Sequence, residues 1–186
     1  MKKILVILIV LFATGSSWAL TDISLGVYGG LNMPVIQSDA KSGAGFGIRA
    51  KVSPIPLVAG ALFFESRKYG DVNKSIDAPP GTATIKGGKV TVFGVEALLG
   101  GVGGGIGPHF YVMAGLGSYK WTRDMPNTPK LSKMEYHFGP GLEIAFSKVG
   151  IEGKVKFEIV PTDGGGSRKN ILAYVGVNYH FGFGVM

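Results

Sequence analysis

Glu135 and His137 stand two residues apart, and a carboxylate beside an imidazole is the raw material of metal sites and of general acid–base centres. On an extended strand, residues i and i+2 share a face, so this pair would lie side by side. A nucleophilic centre would need a serine with them. The nearest candidate, Ser118, falls on the apolar face of its own segment, away from His137. The expected role of the pair is therefore a buried, paired charge beside a hydrogen-bonded histidine. The chain is read as a non-enzyme, with no catalytic, cofactor or metal site assigned.

A second candidate is the run Gly100-Gly101-Val102-Gly103-Gly104-Gly105-Ile106-Gly107, which resembles a nucleotide loop in composition. No frame of it places glycines at all three positions of G-x-G-x-x-G, and no Gly-Lys-Ser/Thr follows, so a flexible turn is expected. Gly164-Gly165-Gly166-Ser167-Arg168-Lys169 reads in the same way as a solvated loop.

The remaining charges are sorted by position. All six glutamates (Glu65, Glu96, Glu135, Glu143, Glu152, Glu158) share the polar face of strand-like segments, while the aspartates are expected in the connections. The clearest segment is Ile151-Glu152-Gly153-Lys154-Val155-Lys156-Phe157-Glu158-Ile159, with charge at every even position. Charge sorting with period 2 is a property of a strand pleat, not of a helix.

Eight such segments can be marked: 22–32, 44–53, 57–67, 89–99, 109–119, 134–146, 150–160 and 171–183. Each is about long enough to cross a hydrocarbon layer as a tilted strand, which takes ~9–11 residues. Connections alternate between long (33–43, 68–88, 120–133, 161–170) and short or glycine-rich (53–56, 100–108, 147–149). The fold class expected is all-β, an antiparallel up-and-down transmembrane barrel of eight strands with short periplasmic turns and long extracellular loops. Pro140 inside the sixth segment lacks a ladder donor, so a bulge or a shortened strand is expected there. The third segment is apolar on both faces, through Ala59, Ala61 and Phe63.

Glycine placement suggests which wall is outside. Gly26, Gly30, Gly45, Gly47, Gly94, Gly115, Gly117, Gly139, Gly141 and Gly176 share the charged face with Tyr28, Tyr111, Tyr174, His109, His137 and His180. A crowded lumen needs such gaps, whereas a solvated face only loses strand stability by them. The inward set would then be Arg49, Lys51, Arg67, Lys154 and Lys156 against the six glutamates, a near-balanced network. Aromatics near strand ends suggest two interfacial belts, with Tyr119, Trp121, Tyr136 and Phe138 toward the loops and Phe110, Phe146, Tyr179 and Phe181 toward the turns.

The start of the chain is consistent with export. Met1-Lys2-Lys3, an apolar run from Ile4 to Ala13 and an exit at Ser17-Trp18-Ala19 describe a cleavable signal peptide over 1–19, leaving a barrel domain over 20–186. That portion carries 17 basic and 12 acidic residues, a mild excess better suited to lipid headgroups or lipopolysaccharide phosphates than to nucleic acid. There is no cysteine, so stability must come from burial and from a closed hydrogen-bonded sheet. Loop charges expected to meet those phosphates are Lys41, Lys68, Lys74, Lys86, Arg123, Lys130, Lys133, Arg168 and Lys169, against Asp39, Asp71, Asp77, Asp124 and Asp163.

In its opening strand Leu25-Gly26-Val27-Tyr28-Gly29-Gly30, its loop alternation and its closing strand Ala173-Tyr174-Val175-Gly176-Val177-Asn178-Tyr179-His180-Phe181, the chain resembles the small eight-stranded outer-membrane barrels, the OmpA transmembrane domain and OmpX among them. The resemblance implies an outer-membrane location, a monomer and a C-terminal aromatic read by the barrel-assembly machinery, here Tyr179, Phe181 or Phe183. The resemblance is specific for fold rather than function, and the expected role is a structural or adhesive platform with a charge-paired closed lumen, its loops offered to an extracellular ligand. The alternatives are a narrow OmpW-like channel for small or hydrophobic solutes, and a soluble secreted ligand-binding barrel.

Overall fold

Among the described residues, eight of ten strands close into one antiparallel barrel. The computed structural model describes residues 22–35, 37, 40–77, 80–103, 105–122 and 131–182, so the expected signal peptide and Phe183 lie outside the described residues. The strands are β1 (Asp22–Pro34), β2 (Gly43–Ile55), β3 (Val58–Lys68), β4 (Val72–Asp77), β5 (Pro80–Ile85), β6 (Lys89–Gly100), β7 (Gly107–Thr122), β8 (Leu131–Phe146), β9 (Val149–Pro161) and β10 (Ser167–His180). The barrel runs β1-β10-β9-β8-β7-β6-β3-β2, and β4 pairs only with β5. The fold class expected from the alternation is the one observed, and β7 and β8 are the longest staves at 16 residues each.

Period-2 patterning explains why these segments form strands and why the barrel has this inside. The outward positions are apolar and exposed, as at Val27, Phe46, Leu62, Phe93, Val112, Phe138, Ile151 and Val175. The inward positions carry the charges and are buried. On β3 the inward positions are Ala59, Ala61 and Phe63, which resolves the ambiguity of that segment.

The structure departs from several expectations. Tyr119 and Trp121 do not belong to an outer belt, because both are buried inside the loop-end mouth. They share parity with Tyr111 and Met113 along β7, so the pleat turns them inward. Among the exposed aromatics, Phe110, Phe146, Tyr179 and Phe181 cluster toward the turn end, whereas Phe46, Tyr136 and Phe138 are spread along the wall. Pro140 produces no bulge: β8 keeps register with β7 straight through Val112↔Pro140. Toward β9 the ladder breaks off after Phe138↔Phe157 and resumes in the same register at Gly141↔Lys154. Proline therefore costs only the local pairing on that side, and Glu135 and His137 keep their inward facing.

The glycine-rich connection after β6 is tied to the β2–β3 turn through Val102 and Gly103. The N–H groups of Val102 and Gly103 donate to the Pro56 carbonyl at 3.0 and 3.1 Å, and Ser53 Oγ donates to the Val102 carbonyl at 2.8 Å. Val102 is thereby buried beneath the barrel with Ala59, Ala61, Leu98, Tyr111 and Met113. The long connection 68–88 holds the β4–β5 hairpin, whose base is clasped by Asp71, accepting from Gly87 N and Lys86 Nζ at 3.0 Å each. Those donors, the Gly87 amide foremost, hold the Asp71 carboxyl below its usual range. Ser167, Arg168 and Lys169 are the first residues of β10, not a loop. Asp22 is not in a connection either, being the first residue of β1 and fully buried. The last strand ends at His180, short of the expected 183, so Phe181 follows the strand.

Two of the lumen glycines are required by close packing. A Cβ at Gly47 would meet the Tyr28 ring, and one at Gly141 would fall within the Tyr111 ring. Each aromatic is thus seated in the gap left by a missing side chain, whereas Gly153 on the outer wall has open space around it. Gly141→Ala is expected to lower stability by about 1–3 kcal/mol, the usual cost of overpacking, while Gly153→Ala should be neutral or slightly stabilising. Urea midpoints of the two refolded variants check the contrast.

Candidate functional site

The residues with chemistry converge in the lumen, where they form pairs that cross it. Arg49, Lys51, Glu65, Arg67, Glu96, Glu135, Glu143, Glu152, Lys154, Lys156 and Glu158 are all buried. Arg49 on β2 bonds Glu152 on β9, Arg67 on β3 bonds Glu158 on β9, and Lys156 on β9 bonds Glu65 on β3. Lys51 on β2 reaches Glu143 on β8 at 2.9 Å. In no pair are the two strands neighbours in the sheet, so each ion pair is a strut across the lumen.

Around the middle of the lumen, Glu96 collects positive charge. His137 Nε2 lies 3.4 Å from it, Arg49 Nη1 3.6 Å, Lys156 Nζ 3.7 Å and Lys154 Nζ 4.0 Å. Lys154 also sits 3.7 Å above the Tyr28 ring, a cation–π contact that shares its charge. Tyr28 and Tyr174 donate to Glu65 at 2.9 and 3.3 Å.

Both buried histidines lie between carboxylates. His137 faces Glu135 through Nδ1 at 3.0 Å and Glu96 through Nε2. His180 faces Asp22 through Nδ1 at 2.6 Å and Glu143 through Nε2 at 2.7 Å. A carboxylate offers only lone pairs, so a ring nitrogen facing one must donate, and a ring doing so twice carries both protons and a positive charge. His180 meets this condition at both nitrogens, whereas His137 bonds Glu135 through Nδ1 and only stands near Glu96 through Nε2. His109 stands apart at the turn end, half-buried, its Nε2 3.3 Å from the Gly105 carbonyl.

The loop-end mouth is filled by aromatics. Tyr69 donates to Asn170 Oδ1 at 3.0 Å, and Asn170 Nδ2 donates to Glu158 at 2.7 Å. Trp121 Nε1 donates to the Gly87 carbonyl at 3.0 Å, and Arg168 lies 4.0 Å over the Trp121 ring. Arg168 is therefore a mouth residue rather than a loop charge. Tyr69, Tyr119 and Trp121 pack there with Phe63, Val90, Val92 and Val160. Burial pushes the Tyr69 hydroxyl above its ordinary value.

Ser118 is exposed on the outer wall, away from His137. The arrangement brings together every charged residue expected in the lumen and adds Asp22, Tyr69, Asn170 and Asn178. The two asparagines were detectable, since they share parity with Tyr174 along β10. Tyr69 follows the end of β3, where strand periodicity gives no guidance.

No family model matches the chain, and no curated protein matches it. Solved structures do. The chain is similar to Neisserial surface protein A, with a TM-score of 0.64, 13% identity and coverage of 90% of this chain and 99% of that one. It is similar to the N-terminal β-barrel domain of OprF from Pseudomonas aeruginosa, with a TM-score of 0.57, 17% identity and coverage of 87% and 98%. It is also similar to Ail, the attachment invasion locus protein of Yersinia pestis, solved in complex with the heparin analogue sucrose octasulfate, with a TM-score of 0.50, 14% identity and coverage of 87% and 97%. The fold is that of the eight-stranded outer-membrane barrels.

Removing one member of a buried ion pair strands the other. Glu143→Leu leaves Lys51 without its carboxylate and His180 with Asp22 alone, and is expected to cost about 3–5 kcal/mol. Adding Lys51→Met should recover part of that loss. Equilibrium unfolding of the single and double variants, followed by tryptophan fluorescence in micelles, measures both.

Proposed function

We propose that this chain is an exported outer-membrane barrel serving as a structural and adhesive surface platform with a closed lumen. The observation that carries the reading is the pairing of an apolar exterior with an interior filled by ion pairs. A wall of exposed Val, Leu, Ile and Phe around the whole barrel suits acyl chains and does not suit water. This facing is the reverse of a soluble ligand-binding barrel. The staves of 11 to 16 residues are long enough to cross the membrane.

The platform reading is favoured over the channel because both mouths are occupied. Trp121, Tyr119 and Tyr69 fill one, and Val102 with its hydrogen bonds to Pro56 closes over part of the other. Eight strands enclose little more than their own side chains. The long loops then become the working surface, offered to an extracellular ligand. One protein of this fold, Ail, is named for attachment and was solved with a polyanionic sugar.

Within this reading, residues 1–19 are the cleaved signal and 20–186 the monomeric outer-membrane domain. Tyr179, Phe181 or Phe183 is the aromatic recognised by the barrel-assembly machinery, and lipopolysaccharide and phospholipid are the surrounding partners.

The folded protein should stay with the outer-membrane fraction and migrate faster on gels before boiling than after. Native release without detergent would overturn the membrane location. Val155→Arg on the outer wall of β9 should cost about 2–4 kcal/mol in bilayers. In planar bilayers the protein should give no reproducible single-channel steps, and regular steps would favour the channel.

A further inference from the structure

The outer wall carries several recesses, two of them involving β2, β3 and β6. There, at the loop end, a recess of about 770 Å³ opens between the barrel wall and the base of the β4–β5 hairpin. Lys68, Lys86 and Lys89 line it with Asp71, above Ala44 and Phe46. Lys68 and Lys89 are directly opposite each other across the β3–β6 ladder. Like charges so placed repel and destabilise the pair unless an anion lies between them. Asp71 offsets Lys86 at 3.0 Å and Glu158 offsets Arg67, which also lines the recess, so the described lining residues keep an excess of two positive charges. A phosphomonoester carries about −1.5 to −2 charge at neutral pH, so the recess and such a group are matched in charge.

A second recess, about 570 Å³ and apolar, lies toward the turn end over β2, β3 and β6 and extends across β1 and β10. Ile48, Ala50, Leu62, Phe64 and Phe93 line it. Ile48 is the next outward residue of β2 after Phe46, while Phe64 and Phe93 are each four residues along their strands from Lys68 and Lys89. At ~3.3 Å per residue the two recesses follow one another down the wall with a spacing on the order of 13 Å. The polar residues Ser66 and Thr91 stand between them. A cationic recess above an apolar groove, along one direction of the barrel wall, has the amphipathic profile of a single lipid.

Resting on the membrane reading above, we propose that this face holds one phosphorylated lipid of the outer leaflet, its phosphate between Lys68 and Lys89 and an acyl chain in the groove over Ala50. The lipid completes the rim electrostatically, since among the described lining residues the nearby carboxylate, Asp71, is already paired with Lys86. It also ties the hairpin base to the membrane surface through Lys86.

The test uses the full barrel domain refolded in detergent, with its folding checked first by heat-modifiable migration. Failure at that step would count against the membrane reading rather than against the lipid site. Native mass spectrometry then scores retention of bis-phosphorylated lipid A, phosphatidylglycerol, phosphatidylcholine and inorganic phosphate, each added separately. One lipid A per barrel should be retained, with a tenfold or greater loss in Lys68→Gln/Lys89→Gln and a similar loss in Ala50→Trp, which fills the groove. Both variants lie outside the lumen network and should keep the migration shift. Equal retention of phosphatidylcholine, phosphatidylglycerol as strong as lipid A, retention of inorganic phosphate alone, or unchanged retention by either variant would overturn the proposal.

Discussion

The need to pair every charge taken out of water governs this molecule. A barrel that turns its apolar wall outward must put its polar residues in a narrow interior, where desolvating a lone ion costs several kcal/mol. The cost is met by carboxylates and cations from across the lumen, so Arg49, Lys51, Arg67 and Lys156 each reach a glutamate on a strand that is not a neighbour. The like-charged pair Glu143↔Glu152, adjacent in register, is tolerable because each member is neutralised from across the lumen. Sheet hydrogen bonds define the cylinder, and the ionic struts hold its cross-section.

Space imposes the second constraint. The side chains that make the struts are long, and those that share their charge, Tyr28 and Tyr111, are wide. Glycine at Gly47 and Gly141 gives these rings their seats, so apparent gaps in the strand pattern belong to the packing. The ends follow the same economy of volume, with an aromatic cluster at one mouth and a folded-under turn at the other.

Much of this was legible from alternation alone. The eight barrel strands, their inward and outward faces and the lysines, arginines and glutamates of the lumen network follow from a period of 2, because the pleat leaves a side chain only two directions. What was not legible needed the third dimension. Period alone cannot say that Arg49 meets Glu152, since that depends on which walls face each other after closure. Tyr119 and Trp121 looked like belt residues because they sit near a strand end, yet their parity along β7 places them inside. Pro140 looked like a break, but its missing donor affects only one neighbouring strand. The hairpin at 72–85 escaped notice because its short strands pair with each other and not with the barrel, so no long alternating run marks them.

The contact between His180 and Asp22 joins the last barrel strand to the first, and the same ring also holds Glu143 of β8. Three staves therefore meet at one imidazole, and the stave bearing that imidazole is made last. Until β10 arrives, two acids on separate strands have no shared cation, and the sheet has two free edges. In the closed barrel, the seam between first and last strands is thus also the place where these acids are neutralised.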